Sequence, residues 1–379
     1  MGADEAGART RVAAANLFDL QQGPTEADFE WHRWIRADVA SVRARSMLDT
    51  HGSPSAVFAA GESAWARAGC SESEKRRLRT WETLENRERE LLADPDVSVC
   101  REVQPDYPEL LRHAKGVPTA FYVRGVLPEV GALTVAIIGT RSATPYGLSA
   151  AEFFARELGR MGAVIVTGGS YGIEAMATRA ALDAGGRCIV VLPCGLDICY
   201  PEDHARMYRA VVERGAILSQ FPFGTRPMAG TYPRRNRFIA ALCEAVVVIE
   251  CPRESHALAT ANFANEDSRQ VFVVPGPYHA PSFAGNHDLL RLGATLVTSP
   301  LHVVEDLGRE VTPAEEEAEP AVSAEQERLL TLLETVPKKL DEIARMVGRP
   351  LPEVAADLTL LELSGRLTRA AGGTFCLRA

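Results

Sequence analysis

Between residues 133 and 298 the chain repeats one pattern that few folds accommodate. Short β-branched runs, "LTVAIIGT", "GAVIVTGG", "RCIVVLPCG", "AVVVIEC" and "QVFVVPG", each close at a Gly, Pro or Cys, and "GAILSQ" and "ATLVTS" add two weaker ones. Helix-like segments such as "GLSAAEFFARELGRMG" and "YGIEAMATRAALDAGG" lie between several of them. A strand that is apolar along its whole length needs cover on both faces, and strands alternating with amphipathic helices supply it in a parallel sheet. The fold class expected is α/β, a Rossmann-like, doubly wound, mostly parallel sheet, spanning 96–307.

The flanks differ in texture. Residues 1–95 carry apolar residues at three-to-four spacing, interrupted at Gly52 and Pro54, and predict a small helical domain of the SAM/HhH-like kind. A stretch rich in Pro, Ala and Glu, 308–322, lacks apolar periodicity and reads as an acidic linker. Residues 323–379 run helix, helix, helix, hairpin: Glu325–Glu334, "LDEIARMVG", "PEVAADLTLLELSG", then "RLTRAAGGTFCLRA" with a turn at Gly372 and Gly373. That order predicts a winged helix. Its third helix is acidic and apolar, whereas a base-reading helix offers Arg, Lys, Asn or Gln, so a protein contact or a structural role is expected of it.

Composition excludes several classes. At 46% apolar and 24% charged the chain has the balance of a globular protein. A net charge of −9 argues against a chain basic throughout but leaves room for a local basic site. The eight cysteines form no CxxC and no Cys/His cluster with zinc spacing, so neither a metal nor a cofactor is expected, and a reducing, cytoplasmic setting fits. No apolar run approaches the roughly 18 residues of a membrane span, and the acidic N-terminus is unlike a signal peptide.

In such a sheet, ligands bind beyond the carboxyl ends of the strands. The first strand runs into "GTRSATPYG": Gly139 allows a tight exit, Thr140 and Arg141 reach over the sheet edge, and Ser142 or Thr144 can cap the next helix while facing an anion. This is neither GxGxxG nor a Walker loop. The second strand runs into "GGSYG", Gly168, Gly169, Ser170, Tyr171 and Gly172, which also fits the GxSxG nucleophile elbow of α/β-hydrolases. A serine hydrolase or nucleotide-processing enzyme using Ser170 is therefore the alternative. Against it, a single strand of this domain is read before the turn, and no HGGG-like segment lies upstream. In "TYPRRNRFIAAL", Arg234, Arg235 and Arg237 crowd a helix start, where positive charge opposes the macrodipole unless an anion or a carboxylate relieves it, and Asn236 adds a donor. Ser255 and Asn286 sit near two further helix starts.

These residues, in this order, resemble the DprA/Smf family of DNA-processing proteins. "IIGTRSATPYG" resembles its G-S/T-R motif, "YPEDH" and "YPRRNRFIAAL" are the most specific pieces, and "VFVVPG" and "GNHDLLRLGATLV" follow in family order. The resemblance covers most of the chain. It implies a non-enzymatic protein that binds single-stranded DNA on its Rossmann domain, forms a homodimer and helps to load a RecA-type recombinase in DNA recombination or natural transformation. Gly139, Thr140 and Arg141 match the first motif, Pro233, Arg234, Arg235 and Asn236 the second, and Ser255 and Asn286 the later polar positions. The loop departs from the pattern: Tyr171 stands where an arginine is expected, Glu174 replaces Asp and Thr178 replaces His. Losing that arginine removes a phosphate contact worth roughly 1.5–3 kcal/mol, and a base stacked on Tyr171 returns about 1–3 kcal/mol.

Overall fold

The computed structural model describes residues 24–80, 85–310, 323–333, 337–363, 366–370 and 373–377. The described residues up to 310 form one unit and those from 323 onward form another.

The first unit is built on strands β3 (Thr134–Ile138), β4 (Val164–Thr167), β5 (Cys188–Val191), β6 (Ala216–Ser219), β7 (Ala245–Val248) and β8 (Gln270–Val273). Every residue of β3 to β7 is buried, which is what continuous apolar runs require. Alternate residues serve opposite layers. Val135 and Ile137 of β3 pack with Phe154 and Leu158 of α7 (Pro145–Arg160), while Ala136 and Ile138 pack with Phe238 and Ile239 of α10 (Thr231–Leu242). Helices α8 (Ile173–Asp183) and α9 (Ala205–Arg214) join the α7 layer, and α11 (Ala257–Glu266) joins α10.

With β1 (Val97–Arg101), β2 (Ala120–Gly125) and β9 (Thr295–Leu296) the sheet has nine strands, in the order β1-β2-β6-β5-β4-β3-β7-β8-β9. From β3 the chain lays β4, β5 and β6 to one side in parallel, then returns to place β7 on the other side of β3. The crossing between β3 and β7 is the topological switch point, where such sheets open a crevice at their carboxyl ends. The edge strand β9 (Thr295–Leu296) is parallel to β8. Two strands were not foreseen. β1 (Val97–Arg101) and β2 (Ala120–Gly125) come before β3 and pair antiparallel, β2 on β6 and β1 on β2. The expectation of a single strand ahead of the glycine turn is thereby corrected, and β4 lies in the middle of the sheet.

Helices α1 (Glu26–Ala37), α2 (Ser41–His51), α3 (Pro54–Arg67), α4 (Glu72–Arg79) and α5 (Asn86–Leu92) precede the sheet. Thr25 opens α1 in a capping box with Asp28, and Gly52 ends α2 at φ 85°. The helices share the sheet's hydrophobic core through Trp31, Trp34 and Ile35. Buried polar links tie them to it: His32 Nδ1 is 2.8 Å from the Tyr122 hydroxyl, and the Trp34 indole donates to Thr119 Oγ1 at 3.0 Å.

The second unit carries α14 (Ala324–Leu333), α15 (Leu340–Val347), α16 (Leu351–Leu363) and the strands β10 (Lys338–Lys339), β11 (Leu367–Ala370) and β12 (Thr374–Leu377), in the order β10-β12-β11. Leu329, Ile343, Val354, Leu358 and Phe375 form its core. This is a winged helix, with a two-residue third strand, β10, beyond the expected hairpin. Gly372 of that hairpin's turn lies outside the described residues. The outer face of α16 shows Leu351, Glu353, Thr359 and Leu360 to solvent, and Arg349 beside it is held by Asp357 at 2.7 Å. Among the described residues no helix is long and apolar enough to cross a membrane.

Candidate functional site

Three loops meet over the switch point, and glycines let them touch. A β-carbon on Gly139 would stand 2.6 Å from Ile173 Cγ1 and 2.8 Å from the Glu250 carbonyl, so β3 can leave the sheet only without a side chain there. The Thr140 N–H donates to that carbonyl at 2.7 Å, joining the β3 and β7 loops. Gly172, at φ 73°, would push a β-carbon to 2.4 Å from the Thr140 carbonyl and 2.5 Å from that of Arg141. The resulting cleft has a volume of about 440 Å³. Thr140, Arg141, Ser170, Tyr232, Arg235, Asn236 and Ser255 line it, together with His256, Glu254 and Thr260.

Two of the expected arginines converge on one ring. The Arg141 guanidinium carbon is 5.2 Å from the centroid of Tyr232, and that of Arg235 is 5.8 Å from the same ring. Arg141 is exposed and pairs with no carboxylate among the described residues. Arg235 is only 4% exposed, its Nη1 lies 3.6 Å from Glu174 Oε2, and neither Nε nor Nη1 has a hydrogen-bond partner. Glu174 Oε2 also accepts from the Ser170 N–H at 3.0 Å. The cleft thus sets an exposed guanidinium, Arg141, beside a buried one next to Glu174, and Glu254 is a second carboxylate in its lining.

The other arginines go elsewhere, because successive positions on a helix diverge. Arg234 donates to Asp38 at 2.8 Å and lies over the Phe221 ring at 4.8 Å. Arg237 lies over Phe263 at 4.6 Å and pairs with Glu266 and Asp267. The charge at the start of α10 is thus relieved mostly by the chain's own carboxylates, and α10 gives the cleft a single arginine. Asn236 is in the lining but gives Nδ2 to the His256 carbonyl at 3.1 Å. Ser255 accepts from the Ala257 N–H at 3.2 Å. Asn286 is fully buried outside the lining and donates to the carbonyls of Ile249 and Val274, each at 2.9 Å, clipping β7 to β8. Ser142 is exposed and also lies outside the lining.

The helix start offered as an anion seat is already filled. Thr144 caps α7 by accepting from the Gly147 N–H at 3.1 Å, and its own N–H and hydroxyl both donate to Glu250 Oε2 at 2.9 Å. Glu250 is fully buried, and a β-carbon on Gly147 would lie 1.9 Å from that oxygen. A carboxylate from the β7 exit therefore occupies the positive end of α7. Its role was not legible in "VVIEC".

The Ser170 turn joins strand to helix as an elbow does, with Gly169 at φ 65°. Among the described residues no histidine hydrogen-bonds the serine hydroxyl. The Ser170 hydroxyl rests 3.4 Å from the Tyr171 carbonyl, and the neighbouring His204 places Nδ1 2.9 Å from the Gly169 carbonyl, which also accepts from the Tyr208 hydroxyl at 3.1 Å. Thr178, where the family pattern has His, is buried and bonds to Thr167 at 2.9 Å. Burial pushes the nearby Cys194 thiol up to about 12. Beside the cleft a small recess is walled by Tyr171, Tyr200 and Tyr232 with Arg141, Arg235 and Gly168. The Tyr200 hydroxyl is raised, first by its hydrogen bond with Tyr232 and then by desolvation.

A doubly wound sheet with a glycine-built, arginine-bearing cleft at its switch point, followed by a winged helix, defines a Rossmann-type protein with a winged-helix tail. Residues 98–308 match the DNA recombination-mediator protein A family and residues 313–373 its DprA winged helix domain. The chain belongs to that family of DNA-processing recombination mediators. It is 35% identical over 281 residues to Protein Smf of Escherichia coli, covering 72% of this chain and 75% of that one. It is 38% identical over 247 residues to the putative DNA processing protein DprA of Mycobacterium tuberculosis, covering 63% of each. The X-ray structure of DprA from Streptococcus pneumoniae aligns with a TM-score of 0.64 at 26% identity, over 75% of this chain and 99% of that one. That of Helicobacter pylori, solved for its single-stranded DNA binding mode, aligns at 0.50 and 29% identity, over 57% and 97%.

Proposed function

We propose that the cleft over β3, β4 and β7 holds the backbone of single-stranded DNA, and that the protein is a non-enzymatic mediator which delivers that strand to a RecA-type recombinase as a homodimer in the cytoplasm. The observation that carries the binding step is the convergence of Arg141 and Arg235 on Tyr232, with Arg141 exposed and paired with no carboxylate among the described residues. A phosphate is the ligand that both guanidiniums would hold at once. A cleft of about 440 Å³ suits a short stretch of strand threaded through it better than the broad face of a duplex. The Helicobacter pylori relative, described by its unique single-stranded DNA binding mode, supports the same ligand here. Recombinase and dimer rest on family membership.

The test is a titration of a mixed-sequence single strand and its duplex across a salt series. Affinity for the strand falls by about 0.7 log units per log unit of salt for each phosphate neutralised. Arg141→Ala weakens binding and flattens that slope. Equal affinity for duplex, or a slope that Arg141→Ala leaves alone, would remove the cleft from the account.

A further inference from the structure

We propose that the Tyr171 flank of the cleft is a base-reading subsite that favours a nucleobase bearing an exocyclic amine over thymine. The inference rests on the strand-binding reading and adds a sequence preference to it.

Tyr171 is 46% exposed and follows the carboxyl end of β4. Its ring is held at both edges. The hydroxyl donates to Asp203 Oδ2 at 3.2 Å, and the ring meets His204 edge-on at 4.9 Å and 69°. His204 is buried and itself fixed on the Gly169 carbonyl. An exposed aromatic face with its orientation already set loses little freedom when a base stacks on it. The same recess is lined by Arg141 and Arg235, so a phosphate seated on the arginines places its base at Tyr171.

The rim beyond the ring is acidic. Glu202 and Asp203 are both exposed in the short turn ahead of α9, and Asp203 Oδ1 takes no hydrogen bond among the described residues. Carboxylates repel phosphate, so this flank cannot be a continuation of the backbone track. They accept from N–H donors, and cytosine carries an amine at position 4 where thymine carries O4, an acceptor, so a carboxylate facing that position separates the two although each base has other polar atoms on its free edge. Tyr171 supplies stacking to any base, and Asp203 supplies the discrimination.

The test titrates the full chain with oligo-dC and oligo-dT of equal length at mildly alkaline pH, where cytosine is uncharged, in the wild type, Tyr171→Ala and Asp203→Asn. The wild type binds oligo-dC tighter than oligo-dT by on the order of tenfold, the worth of one hydrogen bond to a charged group. Asp203→Asn, which can both donate and accept, brings the two within about twofold of each other. Tyr171→Ala weakens both strands. Equal binding of the two strands by the wild type, with Arg141→Ala weakening both, overturns the subsite and leaves the strand-binding reading standing. A preference for oligo-dC that survives Asp203→Asn also overturns it. Failure of the wild type to bind either strand removes both.

Discussion

Nη1 of Arg235 lies 1.1 Å from the place a β-carbon on Gly168 would take. The glycine that ends β4 and the arginine inside α10, 67 positions later in the chain, are therefore one feature: the first is empty so that the second can lie buried against the cleft floor beside Glu174.

Gly168→Ala tests that relationship. The added methyl must displace the guanidinium, and overpacking of this kind costs about 1–3 kcal/mol. The melting temperature should fall modestly while single-strand affinity falls as far as in Arg235→Ala. A Gly168→Ala protein with unaltered affinity would show that Arg235 does not act from its buried position.

The four arginines of the two motifs should separate into two groups. Arg141→Ala loses about tenfold in strand affinity and one phosphate's share of the salt slope. Arg234→Ala and Arg237→Ala keep affinity and slope and lose stability instead. The part-exposed Arg234–Asp38 pair is worth only about 0.5 kcal/mol. Removing Arg237 strands the buried Asp267 carboxylate and costs roughly 2–3 kcal/mol. Urea titrations beside the binding curves separate the two outcomes.

Asn286 should behave as a structural clip. Asn286→Ala leaves two buried carbonyls without their donor and lowers stability by about 2 kcal/mol. Asn286→Asp, nearly isosteric, turns an acceptor-only group toward those carbonyls and should be worse. If either variant stays fully stable and loses DNA, the residue belongs to the binding surface after all.

Acid should loosen the helices ahead of the sheet first. Burial alone would raise the Glu74 carboxyl, but donation from the Ala40 N–H, Arg43 and Ser71 outweighs it and holds the group at about 2 against an ordinary 4.5. Glu88 is likewise raised by burial and brought to about 2 by His32, the Glu85 N–H and Arg36. A carboxyl depressed on folding contributes stability above its unfolded value and loses it as pH falls from about 4.5 through 2. Trp31, Trp34 and Trp65 are buried in this region, so tryptophan emission reports the transition. Glu74→Gln should flatten its acid limb; an unchanged limb would place the titrating groups elsewhere.

Much of the architecture was legible from residue types. Continuous apolar runs such as "TVAII" and "AVVV" have no stable use except in a strand covered on both faces, and all their residues are buried. β1 and β2 escaped notice because "VSVCR" and "AFYVRG" are separated by a stretch with a short helix, α6 (Glu109–Arg112), and no turn signature links them. Arg141 could be placed at the cleft because it follows directly on a strand end. Arg234, Arg237 and Asn286 could not be told from Arg235 by local sequence, since their partners Asp38, Asp267 and the Ile249 and Val274 carbonyls come from other elements. Glu250 looked like the end of a strand and is the anion that fills the start of α7.

Residue order alone was enough for the strands and helices from β3 onward in the sheet and for the end of the sheet that carries the polar loops, because periodicity and backbone sterics are local. Tertiary structure alone decided which cations remain unneutralised. Charge compensation acts through space at a few ångströms, and Asp38 meets Arg234, Glu174 meets Arg235 and Asp267 meets Arg237 only once the chain has closed around β3 and β7.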